Sequence, residues 1–224
     1  MTRRWGDKVT GEKGAKTAHE RARAHLLASA EVKQRMAEEC LEEIVAAAEM
    51  IAQVLRAGGK VMLCGNGGSA ADSQHIAAEF TNRLSADVER PALAALALTT
   101  DTSFMTANAN DYGFEHVFER QVEALGREGD VLIGISTSGN SENVVRAVRF
   151  CRDRGIKTIG LLGGNGGQLR ELVDLAIVVP STSTQHIQEG HITVGHILCD
   201  LVERTLFDEN DDEAIGRFSE TRGQ

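Results

Sequence analysis

The sequence predicts an α/β domain, a parallel five-stranded sheet with helices on both faces, and three observations predict it. Short apolar runs alternate with helical patterns through most of the chain, as strands joined by helical crossovers do. Several of those runs end in turns rich in glycine and serine. Glycine is frequent and proline scarce, 23 against 2, which suits an Ala-, Val- and Ile-rich fold with tight strand-to-helix turns. With 224 residues, 42% of them hydrophobic, the chain can bury one core and reads as a single domain over residues 17–207.

Residues 1–16 hold Arg3, Arg4, Lys8, Lys13 and Lys16 without apolar periodicity and read as a disordered, mildly basic tail. From 18 to 56, Val32, Met36, Leu41, Ile44, Ala48, Ile51 and Leu55 recur at helical spacing, giving one long helix or two consecutive ones closed by Gly58 and Gly59. A helix that long cannot bury its whole apolar stripe on a small sheet, so part of it is expected against another subunit. The alternation then begins with a strand at 60–64, the turn GNGGS at 65–69, a helix over 70–83 and a strand at 93–98. Residues 99–110, polar and small, read as an active-site loop with a helical turn, followed by a helix over 114–125. Strand 131–135 leads to helix 142–154, and strand 157–162 to the loop GGNGG at 163–167 and a short helix over 168–172. Strand 175–179 is closed by Pro180. The last helix covers 184–207, and DENDDE at 208–213 opens a solvated acidic tail reaching residue 224.

A net charge of -9 argues against nucleic acid as the main partner but permits an anionic ligand, because local donors decide that. Cys40, Cys64, Cys151 and Cys199 form no CxxC pair and read as buried free thiols in a reducing compartment. No stretch has the length of a membrane span, and the N-terminus lacks a signal peptide's apolar region, so a cytoplasmic protein with no membrane partner is expected.

The segment VLIGISTSGNS, 131–141, runs a buried strand into a turn with hydroxyls at Ser136, Thr137, Ser138 and Ser141, followed by a helix. Hydroxyls and free backbone N–H groups at such a junction suit a phosphate dianion, and the lack of a lysine disfavours a P-loop triphosphate site. GNGGS ends a neighbouring strand in the same way, so both loops are expected to face one cleft at the carboxyl ends of the strands. Gly65, Gly67 and Ala70 also satisfy a loose dinucleotide fingerprint with Asp87 and Glu89 downstream, but a dehydrogenase needs no second hydroxyl-rich loop. His75 and Glu79 lie four apart on one helical face, where they could share a metal, a substrate or simply a hydrogen bond. On the last helix Gln188 and His196 approach one ligand only if their side chains converge. His191, about 140° round from His196, is not expected to share its site.

CGNGGS at 64–69, the segment 74–79, ANDYGFEHVF at 109–118, GREGDVLIGISTSGNS at 126–141 and IQEGHITVGHILCDLVE at 187–203 resemble, in order, the phosphoheptose isomerase family of sugar isomerase (SIS) domain enzymes. The resemblance runs from about residue 30 to 206. It implies a flavodoxin-like three-layer αβα sandwich, a cytoplasmic homotetramer with active sites at subunit interfaces, and one zinc per site. It implies conversion of D-sedoheptulose 7-phosphate into D-glycero-D-manno-heptose 7-phosphate on the way to activated heptose for bacterial surface glycans. Carried over by motif, the zinc ligands would be His75, Glu79, Gln188 and His196, with Glu79 and His196 also the catalytic base and acid. Ser136, Thr137, Ser138 and Ser141 would hold the phosphate, and Asn66, Ser69, Asp111 and Gln188 would contact the sugar. Rival readings are a non-catalytic tetramer of the same superfamily that binds the replication initiator, and a sugar-phosphate sensing domain. The full set His75, Glu79, Gln188 and His196 favours the enzyme.

Overall fold

The computed structural model describes residues 16–85 and 89–207. The two tails read from the sequence, apart from Lys16, and Asp87 of the loose dinucleotide pattern lie outside those residues. Five strands, β1 (Val61–Gly65), β2 (Ala95–Ala97), β3 (Val131–Ser136), β4 (Lys157–Gly163) and β5 (Leu175–Val179), form one sheet in the order β2-β1-β3-β4-β5. Every pairing is parallel, with Val61 opposite Val131 and Val131 opposite Lys157. β1 and β3 are buried at every position, because helices cover both faces and leave no polar side to the strand.

The chain opens with α1 (Ala18–Glu39) and α2 (Leu41–Arg56). Thr17 starts α1 with a reciprocal capping box: its hydroxyl accepts from the Glu20 N–H and the Glu20 carboxylate accepts from the Thr17 N–H. Such a cap satisfies N–H groups that the first turn of a helix leaves without partners. The long helical pattern is thus two helices, broken at Cys40, whose thiol donates to the Val178 carbonyl. α3 (Gly68–Thr81) follows β1, and α8 (Thr184–Phe207) follows β5. These four helices pack on one face of the sheet, against Val61, Leu63, Ile133, Ile159 and Ile177. The other face, with Met62, Cys64, Leu132 and Leu162, is covered by α5 (Glu119–Leu125), α6 (Glu142–Arg152) and α7 (Leu169–Leu172), preceded by α4 (Thr102–Asp111) and a 3-10 turn over Phe114–His116. The result is the expected three-layer sandwich.

Three expectations are corrected. The polar loop of 99–110 holds a ten-residue helix, α4, started by the Asp101 carboxylate accepting from the Phe104 N–H. The helix expected over 114–125 is split, because Gly113, at φ 98, turns the chain into the 3-10 segment before α5 begins. The helix after β1 begins at Gly68, inside GNGGS rather than beyond it.

The two ends of the sheet differ. At the amino ends the buried Asp130 carboxylate accepts from the Lys60 and Arg127 N–H groups at 2.9 and 2.8 Å, and pairs with the Lys60 ammonium at 2.5 Å. Asp174 likewise accepts from the Thr158 N–H and hydroxyl. These carboxylates fix the register. The carboxyl ends carry glycine and serine loops instead.

Candidate active site

α3 leaves β1 on one face of the sheet and α6 leaves β3 on the other, so the loops after these adjacent strands border a crevice. Asn66 of the first loop and Asn143 of α6 exchange two amide hydrogen bonds of 2.9 Å and fasten the loops together. Ser136 and Ser141 hydroxyls meet at 2.9 Å, so the side chain of Ser141 stays on the loop rather than capping α6. Gly139 is required between them: at φ +65, a Cβ there would lie 1.8 Å from the Gly166 carbonyl oxygen. The Asn140 side chain accepts from the Gln168 N–H and donates to the Ser138 carbonyl, which holds the turn against the loop after β4.

α3 and α8 pack side by side on the same face and in the same direction. Gly68 touches Gln188, Ile76 lies against Gly195, and His75 meets His196. A Cβ on Gly195 would fall 2.5 Å from Ile76, so glycine there permits the close approach. Positions 68, 72, 75 and 79 form one stripe along α3 at helical spacing. The His75 and His196 Nε2 atoms are 3.0 Å apart, and a Glu79 carboxylate oxygen is 3.3 Å from His75 Nε2. One ligand atom from each of His75, Glu79 and His196 lies within 4.8 Å of the others. Two imidazoles and a carboxylate fit a divalent cation of the zinc type.

A SIS domain model matches residues 25–163. The phosphoheptose isomerase of Pelodictyon phaeoclathratiforme is 58% identical over 182 residues, 81% of this chain and 86% of that protein. The chain belongs to the phosphoheptose isomerases. Among solved structures, the phosphoheptose isomerase GmhA of Neisseria gonorrhoeae is 49% identical with a TM-score of 0.78, over 83% of this chain and 98% of that one. The enzyme of Francisella tularensis is 38% identical with a TM-score of 0.81, over 84% and 100%.

In this phosphoheptose isomerase most residues expected at the site come together in two groups. At the crevice Asn66 bonds Asn143, Ser136 bonds Ser141, and the buried Ser69 carbonyl accepts from the Ser73 hydroxyl. Thr137 and Ser138 sit on the same turn, the Ser138 hydroxyl accepting from the Asn140 N–H. His75, Glu79 and His196 form the second group, and Gln188 lies against Gly68 at the start of the same stripe. Asp111 is not drawn in: it ends α4, exposed, and accepts only from the neighbouring Asn110 amide. His191, as expected, serves elsewhere; it is fully buried and donates to the Leu162 carbonyl.

One residue of the α3 stripe was not among those expected. Asp72, one turn before His75, has a buried oxygen without a hydrogen-bond partner among the described residues. Burial raises its carboxyl above the ordinary value, and His75 pulls the other way. Its signal was the spacing Asp72, His75, Glu79 along one face. All four cysteines are free and buried, and burial pushes the Cys151 thiol up to about 12.

Proposed function

We propose that this phosphoheptose isomerase converts D-sedoheptulose 7-phosphate into D-glycero-D-manno-heptose 7-phosphate through an enediol, feeding activated heptose for surface glycans. The observation that carries this reading is the convergence of His75, Glu79 and His196 on α3 and α8, with α3 leaving the same crevice as a hydroxyl-rich loop with no cationic side chain. Ser136, Thr137, Ser138 and Ser141 take the phosphate, aided by N–H groups at the start of α6. That anchor leaves the other end of a seven-carbon chain to reach α3. Asn66, Ser69 and Gln188 orient the sugar hydroxyls, with Asp111 joining from the exposed end of α4.

Glu79 removes a proton from C1 of the open-chain ketose, and the electron pair moves to form the C1–C2 double bond as the C2 oxygen is protonated. Glu79 then returns the proton to C2 while the C1 hydroxyl loses its own and becomes the aldehyde. His196 carries the protons at oxygen and assists ring opening. His75, Glu79, Gln188 and His196 would hold one zinc ion, which when bound supplies Lewis-acid polarisation of the sugar oxygens. Base and ligand roles would compete on Glu79, because ligation lowers a carboxylate's basicity, and the free carboxylate is the form that takes the C1 proton.

The protein acts as a homotetramer in the cytoplasm. Leu26, Leu27, Leu41 and Val45 on α1 and α2 are 70%, 58%, 53% and 40% exposed, an apolar surface suited to another subunit. Among the described residues no helix is long and apolar enough to cross a membrane. Light scattering showing a mass of four chains checks the assembly. Glu79→Gln tests the chemistry: exchange of the carbon-bound proton with solvent stops while sugar-phosphate binding persists. Normal exchange in that variant removes Glu79 from the mechanism.

A further inference from the structure

We propose that Arg90 and Glu203 form a buried clamp that sets the spacing of the metal-ligand helices, so that Arg90 is a positioning residue for the His75, Glu79 and His196 cluster. The Arg90 side chain has no exposure, and Glu203 is 2% exposed. Arg90 donates to the Glu79 carbonyl at 2.8 Å and to the Phe80 carbonyl at 3.0 Å, on the last turn of α3. It also bonds the Glu203 carboxylate through Nε at 2.8 Å and approaches it through Nη2 at 2.5 Å. The same carboxylate oxygen accepts from the Leu84 N–H at 3.2 Å, just beyond α3.

The placement is specific. Arg90 holds the backbone of Glu79 itself, and its charge sits where the dipole of α3 favours a cation. Glu203 is seven residues after His196, two turns along α8, about 10 Å away and within about 20° of the same face. A shift of α3 against α8 therefore breaks the clamp and separates His75 and Glu79 from His196 together. A buried ion pair is a costly way to gain stability, because desolvation offsets much of its attraction. Here the pair fixes the distance between two helices whose side chains must meet at one point, with four contacts from the flat guanidinium fork and a fifth bond from the Leu84 N–H.

This inference rests on the metal reading above, and the test separates the two. Cobalt(II) is titrated into the metal-free full chain, and affinity and the visible ligand-field absorption are read for the wild type, Arg90→Lys and Glu203→Gln. Glu203→Gln is the milder change, keeping the shape of the side chain and the Arg90 bonds to α3. Asp130→Asn, whose carboxylate bonds run to Lys60 and Arg127 and to neither helix, controls for general loss of stability. Arg90→Lys is expected to weaken cobalt binding about 10- to 100-fold, the range for residues that orient metal ligands, and to alter the absorption bands. Glu203→Gln shifts both in the same direction, and Asp130→Asn lowers the melting temperature with affinity and spectrum unchanged. Wild-type affinity and spectrum in both clamp variants would overturn the inference alone. Affinity lost by Asp130→Asn in proportion to its melting temperature would also overturn it. Failure of the wild type to bind cobalt would overturn the metal reading and the clamp with it.

Discussion

α8 carries two clusters of imidazole and carboxylate that use the same residue types and differ in what they can hold. In each, one ligand atom from each of three residues lies within 4.8 Å of the others: His75, Glu79 and His196 in the first, His25, His186 and Glu189 in the second. In the first the two Nε2 atoms face each other at 3.0 Å and the carboxylate joins the same nitrogen of His75. The donors converge. In the second His25 is the middle of a chain, its Nε2 on Glu189 at 2.9 Å and its Nδ1 on His186 at 3.4 Å. The other Glu189 oxygen takes the Ser29 hydroxyl, with the Lys33 ammonium 4.0 Å away. Those bonds, that of Ser29 first and His25 next, hold the Glu189 carboxyl below its ordinary value. A cation at the first cluster would replace one His75–His196 contact with bonds to three converging donor atoms. At the second it would displace a satisfied network and meet a positive charge. The second cluster is a tie between α1 and α8.

The largest expected contrast is in metal content. The wild type binds one divalent ion per chain, His75→Ala with His196→Ala binds none, and His25→Ala with His186→Ala still binds one. Elemental analysis after dialysis reads this directly, and two ions per wild-type chain would break the distinction. A smaller effect concerns the third kind of histidine on α8. Burial pushes His191 down to about 4 from an ordinary 6.5, against the pull of its bond to Leu162. The folded imidazole stays neutral while the unfolded one gains a proton. Its stabilisation is therefore complete above about pH 6.5 and is lost as pH falls towards 4, with roughly 2 kcal/mol gone at pH 5 relative to pH 7. Denaturant unfolding of the metal-free protein shows this loss, and His191→Gln, which keeps a donor for Leu162, flattens it. An unchanged acid slope would contradict the burial argument. The smallest effect is at the tie: Ser29→Ala costs about 1 kcal/mol and raises hydrogen exchange in α1, with metal content unchanged.

The layers, strands and both crevice loops were legible in the sequence because each rests on a local pattern: apolar runs, glycine and serine at strand ends, and helical periodicity. α4 was not, because among its ten residues only Asn108 is buried, which leaves no amphipathic stripe to read. Its one local signal was Asp101, three residues before the N–H it caps. The pair His75 and Glu79 could be placed on one face from spacing, but the meeting with His196, 121 residues away from His75, depends on the packing of α3 against α8. Arg90 was illegible for a similar reason. Its partner Glu203 is 113 residues distant, and a buried arginine has no periodic signature. Resemblance supplied the proposed ligand set, and the packing of α3 against α8 brings three of its members, His75, Glu79 and His196, together.

The central claim is that the convergent cluster moves a proton between C1 and C2 of a phosphorylated ketose. The most direct measurement is proton NMR of the zinc-supplemented protein with sedoheptulose 7-phosphate in D₂O. An aldoheptose 7-phosphate with deuterium at C2 is the expected product. A folded protein that binds the sugar phosphate yet gives neither conversion nor exchange would contradict it.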